Sequence, residues 1–504
     1  MNKIILTVIA ASCFTGLSAQ DFIDNALIFS RYQATGSARI QALSGAQVSL
    51  GGDYSSALAN PAGLGMFNRS EFTISPALTF HRTKSSYLGT GTDESKSVFN
   101  VPGLSLVLYN PSRSESGFLG GSFAVTLSRV NDLHLDYNLS GTNNQSSIID
   151  YFLEDAGDID PNELLFGGNY FYSLTGLAYN NYLIEDAYDN NGDRYYVTAL
   201  GFNSVDQQEI SQRKGAQYQW SIAYGANFSD KFFAGASLGI ATLRYKLNQV
   251  YKESNFGYLP DADVALRDFS LQEDYDIRGS GVNFTLGGIY RPANFLQVGV
   301  SYTTPTYYQI TDTYKAGMNS NWNNYDYYPD DPTDDNLNSV SEEFDQPLVS
   351  DYNLTVPMKV KAGLALISKI GLISTEVEFV NHSKAKYKSD IADDFQFEND
   401  GIRDEYTSVI NLRTGAEYRL NQLRFRGGVS YMPDPLLQGG DTNRSIISFS
   451  GGVGYRSKEF YVDVTGVLSQ TKSQRVPYYF SGSGPIADQK FQKTNFIITC
   501  GFNF

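Results

Sequence analysis

Few side chains in this sequence are spaced for chemistry. "GASLG" at Gly235–Gly239 fits the Gly-x-Ser-x-Gly pattern of serine hydrolases, which needs a sharp strand-to-helix turn to expose the nucleophile. Here Ser237 follows Phe232 and Phe233 and precedes "IATLRY", so it falls in mid-strand. His81, His134 and His382 are scattered, and are expected as solvated residues in loops or at strand ends rather than as bases. No His–Ser pair on neighbouring strands can be assigned, so no catalytic residue is expected. "YPDDPTDDN" (Tyr328–Asn336) and "DNNGD" (Asp189–Asp193) are acidic enough to attract a divalent cation, yet both lack the fixed ligand spacing of a calcium loop. The chain has 2 Cys. Cys13 lies in the expected leader, which leaves Cys500 alone and excludes an intrachain disulfide or a thiolate metal framework. Neither a metal nor another cofactor is expected.

A second group of charges is better organised. Glu376 and Glu378 sit on one alternating segment, Arg413 and Glu417 on the next, and Arg424 and Arg426 on the one after, followed by Asp463. Each faces away from the apolar residues of its own segment. Two uses are open. The charges can pair across neighbouring strands as a network in the wall, or Arg424 and Arg426 can attract the carboxylate of an amphiphile.

Those segments belong to a long series with a period of two. "FTISPALTF" puts Phe72, Ile74, Leu78 and Phe80 on one face and Thr73, Ser75, Ala77 and Thr79 on the other. The pattern recurs in "FAVTL", "YQWSIAY", "VNFTLGGIY", "INLRTGAEYRL", "LRFRGGVSY", "ISFSGGVGY", "FYVDVTGVL" and "NFIITCGFNF". Successive side chains of a strand point to opposite faces, so such alternation marks a strand between two environments. A β-sandwich would place the second face in a shared core, where Glu376, Glu378 and Arg413 would be unpaired and costly. A wet lumen accepts them. The predicted fold is therefore all-β: a transmembrane antiparallel barrel of about fourteen strands, an even number as bacterial barrels require. Short connections alternate with long polar ones at 138–215, 314–351 and 388–406, the asymmetry expected between periplasm and exterior.

Composition agrees. The chain has 36 Tyr, 32 Phe and 2 Trp among 504 residues, with 18% charged residues and a formal charge of −16, so nucleic acid is not an expected partner. Residues 1–19 carry Lys3, the apolar "IILTVIAASCF" and a small-residue cleavage site after Ala19, the pattern of an export signal. Between this leader and the strands, residues 20–69 are rich in Gly, Ala and Ser and lack alternation. A barrel of this strand count leaves a lumen too wide for side chains alone to fill, and this segment is expected to plug it. The barrel domain would then be 70–504.

"GSARIQALSGAQVSLGGDYSSALANPAGLG", with Ala46, Asp53 and the triplet Asn60-Pro61-Ala62, resembles the N-terminal hatch of the FadL-type family of long-chain fatty acid and hydrocarbon transporters of Gram-negative outer membranes. "LTVPMKVKAGLALI", "LISTEVEFVNHSKAKY" and "LRTGAEYRLNQLRFRGGVSYMPDP" are similar to its barrel strands, so the resemblance covers nearly the whole mature chain. It implies a non-enzymatic outer-membrane protein that takes up hydrophobic small molecules as a monomer. Asp53, Asn60, Pro61 and Ala62 would hold or gate the hatch. In the family an extracellular loop helps form an apolar groove, and Phe171, Leu174, Leu177 and Tyr182 are the candidates here; packing of the same residues onto the barrel rim is the alternative. Membrane lipid, and the barrel-assembly machinery through the terminal Phe504, are the other expected partners. A platform for protein secretion, a haem or porphyrin receptor and a simple porin are the rival readings.

Overall fold

The computed structural model describes residues 17–114, 116–260, 265–329, 336–391, 394–437 and 442–504. A 19-segment antiparallel sheet closes on itself, with the first strand paired to the last from Glu71 opposite Asn503 to Tyr87 opposite Ala487. Where consecutive segments continue one path, the 19 join into fourteen strands. These are β1 (Glu71–Tyr87), β2 (Thr90–Pro111), β3 (Phe118–Asp132 continued by Leu135–Asn143), β4 (Val205–Phe228), β5 (Phe232–Ser254) and β6 (Leu266–Ala293). Next come β7 (Leu296–Thr303 and Thr306–Tyr325), β8 (Leu337–Glu343, Leu348–Val356 and Lys359–Ile367) and β9 (Gly371–Asn381 and Lys386–Lys388). The circuit ends with β10 (Ser408–Leu420), β11 (Leu423–Met432), β12 (Ile446–Arg456), β13 (Phe460–Arg475) and β14 (Ala487–Asn503). Pro305 and Pro357 interrupt β7 and β8 at the same level, where a residue without an N–H cannot complete the ladder.

The connections divide by end. Tight turns join β4 to β5, β8 to β9 and β10 to β11 at one end, where Asn421 takes φ 53° between the paired Leu420 and Leu423. Both ends of the barrel path meet there, and the Phe504 N–H donates to Ser70 O at 3.0 Å. The opposite end carries the long connections. Among the helices are, in chain order, α1 (Leu17–Ser30), α2 (Ala38–Ala42) and α3 (Ser56–Ala59) before the barrel, then α4 (Ile148–Ala156), α5 (Leu174–Asn180) and α6 (Gln396–Glu405) in these connections, with a further short helix at Pro161–Leu164. Pairing extends further into the long connections than the apolar alternation implies, because β4 starts at Val205 and β7 runs to Tyr325. There both faces of the sheet have left lipid, so the outer face carries no apolar repeat to read. Positions 330–335 of the acidic run, and the expected leader up to position 16, lie outside the described residues.

The outward face is an apolar belt. Phe72, Ile74, Leu78 and Phe80 of β1 are exposed while Thr73, Ser75, Ala77 and Thr79 are buried. Trp220, Ile222 and Tyr224 on β4, Phe284 and Leu286 on β6, Leu412 and Tyr418 on β10, and Phe496, Ile498 and Phe502 on β14 continue the belt. Above it the phase reverses. On β5, Leu238 and Ile240 point outward, but beyond them Ala241, Leu243 and Tyr245 are buried inward. Such a reversal marks where a strand passes from lipid into water outside and an apolar core inside. Because the cost of a cation facing lipid rises with depth, Leu286→Arg on the belt should destabilise the folded barrel by about 2–4 kcal/mol. Urea unfolding in lipid bilayers checks this, and a change within about 0.5 kcal/mol would place that face out of the membrane.

Candidate functional site

Residues 22–67 run through the lumen, tied to strands on every side. From α1, the carbonyls of Phe22, Ile28 and Phe29 accept from Tyr387 Oη (2.9 Å), Asn131 Nδ2 (2.8 Å) and Gln217 Nε2 (3.1 Å). Ala38 N–H donates to Thr499 Oγ1 of β14 at 2.8 Å, and Thr465 Oγ1 of β13 donates to Ala38 O at 2.7 Å. Ser44 and Ser450 of β12 share a hydroxyl contact at 2.7 Å. The successive amides of Gln47 and Val48 both donate to Glu376 Oε2 of β9, at 2.9 and 2.8 Å. Tyr54 Oη meets Ser75 Oγ of β1 at 3.1 Å.

Asn60 locks the last turns. Its backbone is extended, as the residue before proline prefers, and its Oδ1 caps the 3₁₀ turn Pro61–Met66 by accepting from Ala62 N at 3.2 Å. Its Nδ2 donates to Val48 O at 2.5 Å and to Gly288 O of β6 at 3.3 Å, so one side chain joins two parts of the segment to the wall. Asp53 is buried, and its carboxylate accepts from Ser37 Oγ at 2.6 Å and Ser55 N at 3.0 Å. Pro61 and Ala62 are buried, and Ala62 packs against Phe233 and Ile289.

Backbone can lie this close because the wall opposite is glycine. A Cβ at Gly225, Gly235, Gly287 or Gly299 would overlap Pro61, Asn60 or Val48, and one at Gly415 or Gly428 would meet Leu43. The signal for this approach lies in the strand dipeptides Gly287-Gly288, Gly427-Gly428 and Gly451-Gly452. Gly in a strand weakens it and marks a close backbone approach.

The inward charges form two groups along β10, one around Arg413 and one around Glu417. Arg413 reaches Glu376 at 2.8 Å and Glu378 at 2.9 Å, and Lys361 joins Glu378 at 3.2 Å. Arg426 bridges Glu417 at 2.7 Å and Asp463 at 2.6 Å. Arg419 and Arg456 add further pairs, and Arg39 from the segment approaches Glu417 at 3.9 Å. Arg424 lies outside this group, because the tight turn carries it to the rim, where it donates to the carbonyls of Asn421 and Leu423. With Arg426 held between two wall carboxylates, the arrangement favours the network over a ligand contact.

Above the network the lumen is apolar. Ile23, Ala26 and Phe29 of α1 pack with Leu243, Tyr308, Ile310, Tyr352, Leu354 and Tyr387. Sequence reasoning does not find this lining; its one trace is the phase reversal along "LGIATLRYKL". Burial lowers the Arg31 guanidinium to about 10 against the opposing pull of Asp434, while its nitrogens donate to Arg444 O and Pro433 O. Higher still, α4 and α5 close the mouth. Leu177 is fully buried in the loop cluster and Tyr182 packs against it, Phe171 is buried beside Phe166 and Tyr172, and Leu174 lines a narrow crevice with Ile148. Ile148 N–H donates to Glu253 Oε1 at 3.0 Å, which fastens α4 to β5. Burial pushes the Asp155 carboxyl up, opposed by the hydroxyl of Thr175.

The histidines depart from expectation. All three face inward and are shielded, since the segment and upper strands fill what a bare lumen would leave wet. His81 lies within β1, with Nε2 3.2 Å from Asp132, and His134 Nδ1 is 2.9 Å from the same carboxylate. His382 is buried, with Nδ1 3.0 Å from Ser30 Oγ. Ser237 sits inside β5, opposite Ala223 and Thr285, without a strand-to-helix turn. "DNNGD" forms the turn between short strands Glu185–Tyr188 and Arg194–Val197.

No family model matches this sequence, and no curated protein matches it by sequence. The architecture does have counterparts among solved structures. A FadL homologue from Pseudomonas aeruginosa aligns with a TM-score of 0.55 at 12% identity, over 94% of this chain and 99% of that one. The toluene transporter TodX of P. putida aligns with a TM-score of 0.53 at 12% identity over the same shares, 94% and 99%. The Ralstonia pickettii toluene transporter TbuX gives 0.50 at 13% identity, over 94% and 99%. This chain therefore has the FadL-type barrel fold.

Glu376→Ala should release the Gln47–Val48 amides and strand Arg413. Hydrogen exchange at Val48 should then lose about 1–3 kcal/mol of protection, with the barrel strands unchanged. Unaltered exchange at Val48 would show that the carboxylate does not seat the segment.

Proposed function

We propose that this chain is an outer-membrane channel for hydrophobic or amphiphilic small molecules, with residues 20–69 as its plug. The observation that carries the reading is the apolar chamber around α1, walled by Leu243, Ile310 and Leu354 and floored by the hydrogen-bonded segment below. An apolar solute leaving water gains by entering such a chamber, and the α1 side chains that fill it are the ones it would replace. The fold shared with a FadL homologue and with toluene transporters supports the same class of cargo. Long-chain fatty acids are the proposed cargo; smaller aromatic hydrocarbons are the close alternative. Transport is passive, driven by binding and by movement of the plug. Residues 1–19 direct export, Phe504 engages barrel assembly, and the protein works as a monomer. The loop region that holds Phe171, Leu174, Leu177 and Tyr182 closes the entrance and opens to admit the solute.

Planar-bilayer conductance tests the plug. The intact protein should be nearly silent, and deletion of residues 21–67 should produce steady ion currents, because a lumen of this strand count is not filled by side chains alone. Asn60→Ala should leave the barrel folded and alter uptake. Equal conductance of intact and deleted proteins would show that the segment is no plug.

A further inference from the structure

Around the water-exposed ends of the strands, several outward cations are paired. Lys246 meets Asp276 at 2.9 Å, Arg278 meets Asp276 at 2.7 Å and Lys315 meets Glu343 at 2.8 Å. Lys214 and Arg244 stand opposite Lys246 and Arg278, within reach of that paired group. A longer row of like charges stands apart from it. Lys84 of β1 is directly opposite Lys490 of β14, and Lys490 is directly opposite Lys472 of β13. All three side chains are exposed on the outer face, and among the described residues none forms an ion pair. Strands lie about 4.8 Å apart, so three ammonium groups occupy a row about 10 Å long. Like charges directly opposite each other destabilise a sheet. In a chain of formal charge −16, this row is a local excess of positive charge.

Two acids lie nearby, and each has another partner. Asp93, opposite Lys84 on β2, is held by Arg82. Asp488 lies further along β14, where it accepts from Gln474 at 3.1 Å. The row borders an open cavity of about 530 Å³, whose lining also includes Ser85, Asp488, Gln489, Thr442 and Asn443. Its depth is defined by β1, whose outward residues run from the apolar belt toward water as Leu78, Phe80, Arg82 and Lys84. Lys84 is thus about 13 Å along a tilted strand from Phe80, at the end with the long connections. That is the level of lipid headgroups, which extend about 5–8 Å beyond the hydrocarbon on each side.

We infer that Lys84, Lys490 and Lys472, with Thr442 and Asn443, form a binding site for the phosphate groups of an anionic lipid in the outer leaflet. The inference rests on the membrane-spanning reading above. A phosphate oxygen can accept from two neighbouring ammonium groups at once, which turns the repulsion within the row into binding. Polar side chains of the covering loop then hold the sugar or glycerol edge. The bound lipid would brace the seam where β1 and β14 close the barrel.

Native mass spectrometry of the folded barrel in detergent micelles tests this, using bisphosphorylated lipid A and the same lipid A stripped of its phosphates. The intact protein should retain the phosphorylated form at least about tenfold better. The triple variant K84Q/K472Q/K490Q should lose that preference, and K246Q, at a paired lysine, should keep it. Heat-shifted mobility on gels confirms that each variant is folded. Millimolar inorganic phosphate should not displace the lipid. The site is overturned if the triple variant keeps the preference, if the intact protein has none, or if inorganic phosphate competes fully and so identifies a free-phosphate site. A barrel that stays dispersed without detergent would instead overturn the membrane reading itself.

Discussion

The arrangement of the lumen depends on the Glu376 carboxylate. A buried carboxylate is costly unless its oxygens are satisfied, and removing one partner of such a group is strongly destabilising. Here Oε1 is held by Arg413, while Oε2 accepts the two successive amides of Gln47 and Val48. Charge-assisted bonds of this kind are stronger than neutral ones. The interaction fixes the turn at Val48, whose carbonyl then receives Asn60 Nδ2. Through Asn60 the position of Pro61 and Ala62 follows, and with it the chain's entry into β1. A single wall carboxylate thereby sets the register of the segment from Gln47 to Ala62 against the barrel.

Charge alone does not permit this fit. The barrel concedes side chains at Gly225, Gly235, Gly287, Gly299 and Gly415, so that backbone meets backbone. The concession costs strand stability, which the hydrogen bonds of the segment offset. Three levels result: a seat of glycine and paired charge, an apolar chamber around α1, and a mouth closed by α4 and α5. Outside, lipid covers the first level and releases the strands at the second. The same reversal of phase that frees the outer face for water turns Leu243, Tyr245 and Ile310 inward. A strand that must meet lipid below and water above therefore makes an apolar chamber as a consequence.

Much of this is legible in the sequence because lipid and lumen make opposite demands on adjacent residues. The alternation at Phe72–Phe80 and at Ile410–Leu420 carries that demand directly, and closure and strand number follow from it. Asn60-Pro61 is readable from local backbone chemistry. The charge network is partly visible, since Arg413, Glu417 and Arg426 break an otherwise neutral inner face. Arg39 escapes such a reading because it arrives from the segment and not from the wall. His81 reads as solvated and is not, for a related reason: a lumenal position is wet or shielded according to what fills the lumen, and no local pattern states that. The upper part of β4 reads as a loop because polar residues on both faces leave no period of two, whereas the upper part of β7 keeps an apolar row at Tyr314, Ala316, Met318 and Trp322 that faces inward and not to lipid. The paired glycines are visible, but only a partner segment lying on them explains why they are there.

The segment is seated against the wall, and under the proposed function cargo passes only if it leaves that seat. Ser44 and Ser450 stand with their hydroxyls 2.7 Å apart, one on the segment and one on β12. Replacing both with cysteine, in a background where Cys500 is serine, allows a crosslink that pins the two together. Uptake of a radiolabelled long-chain fatty acid by cells carrying this variant is the decisive measurement. Oxidation should close the crosslink and abolish uptake, and a reducing agent should restore it. Uptake that is the same in the crosslinked and reduced protein would contradict a plug that must move.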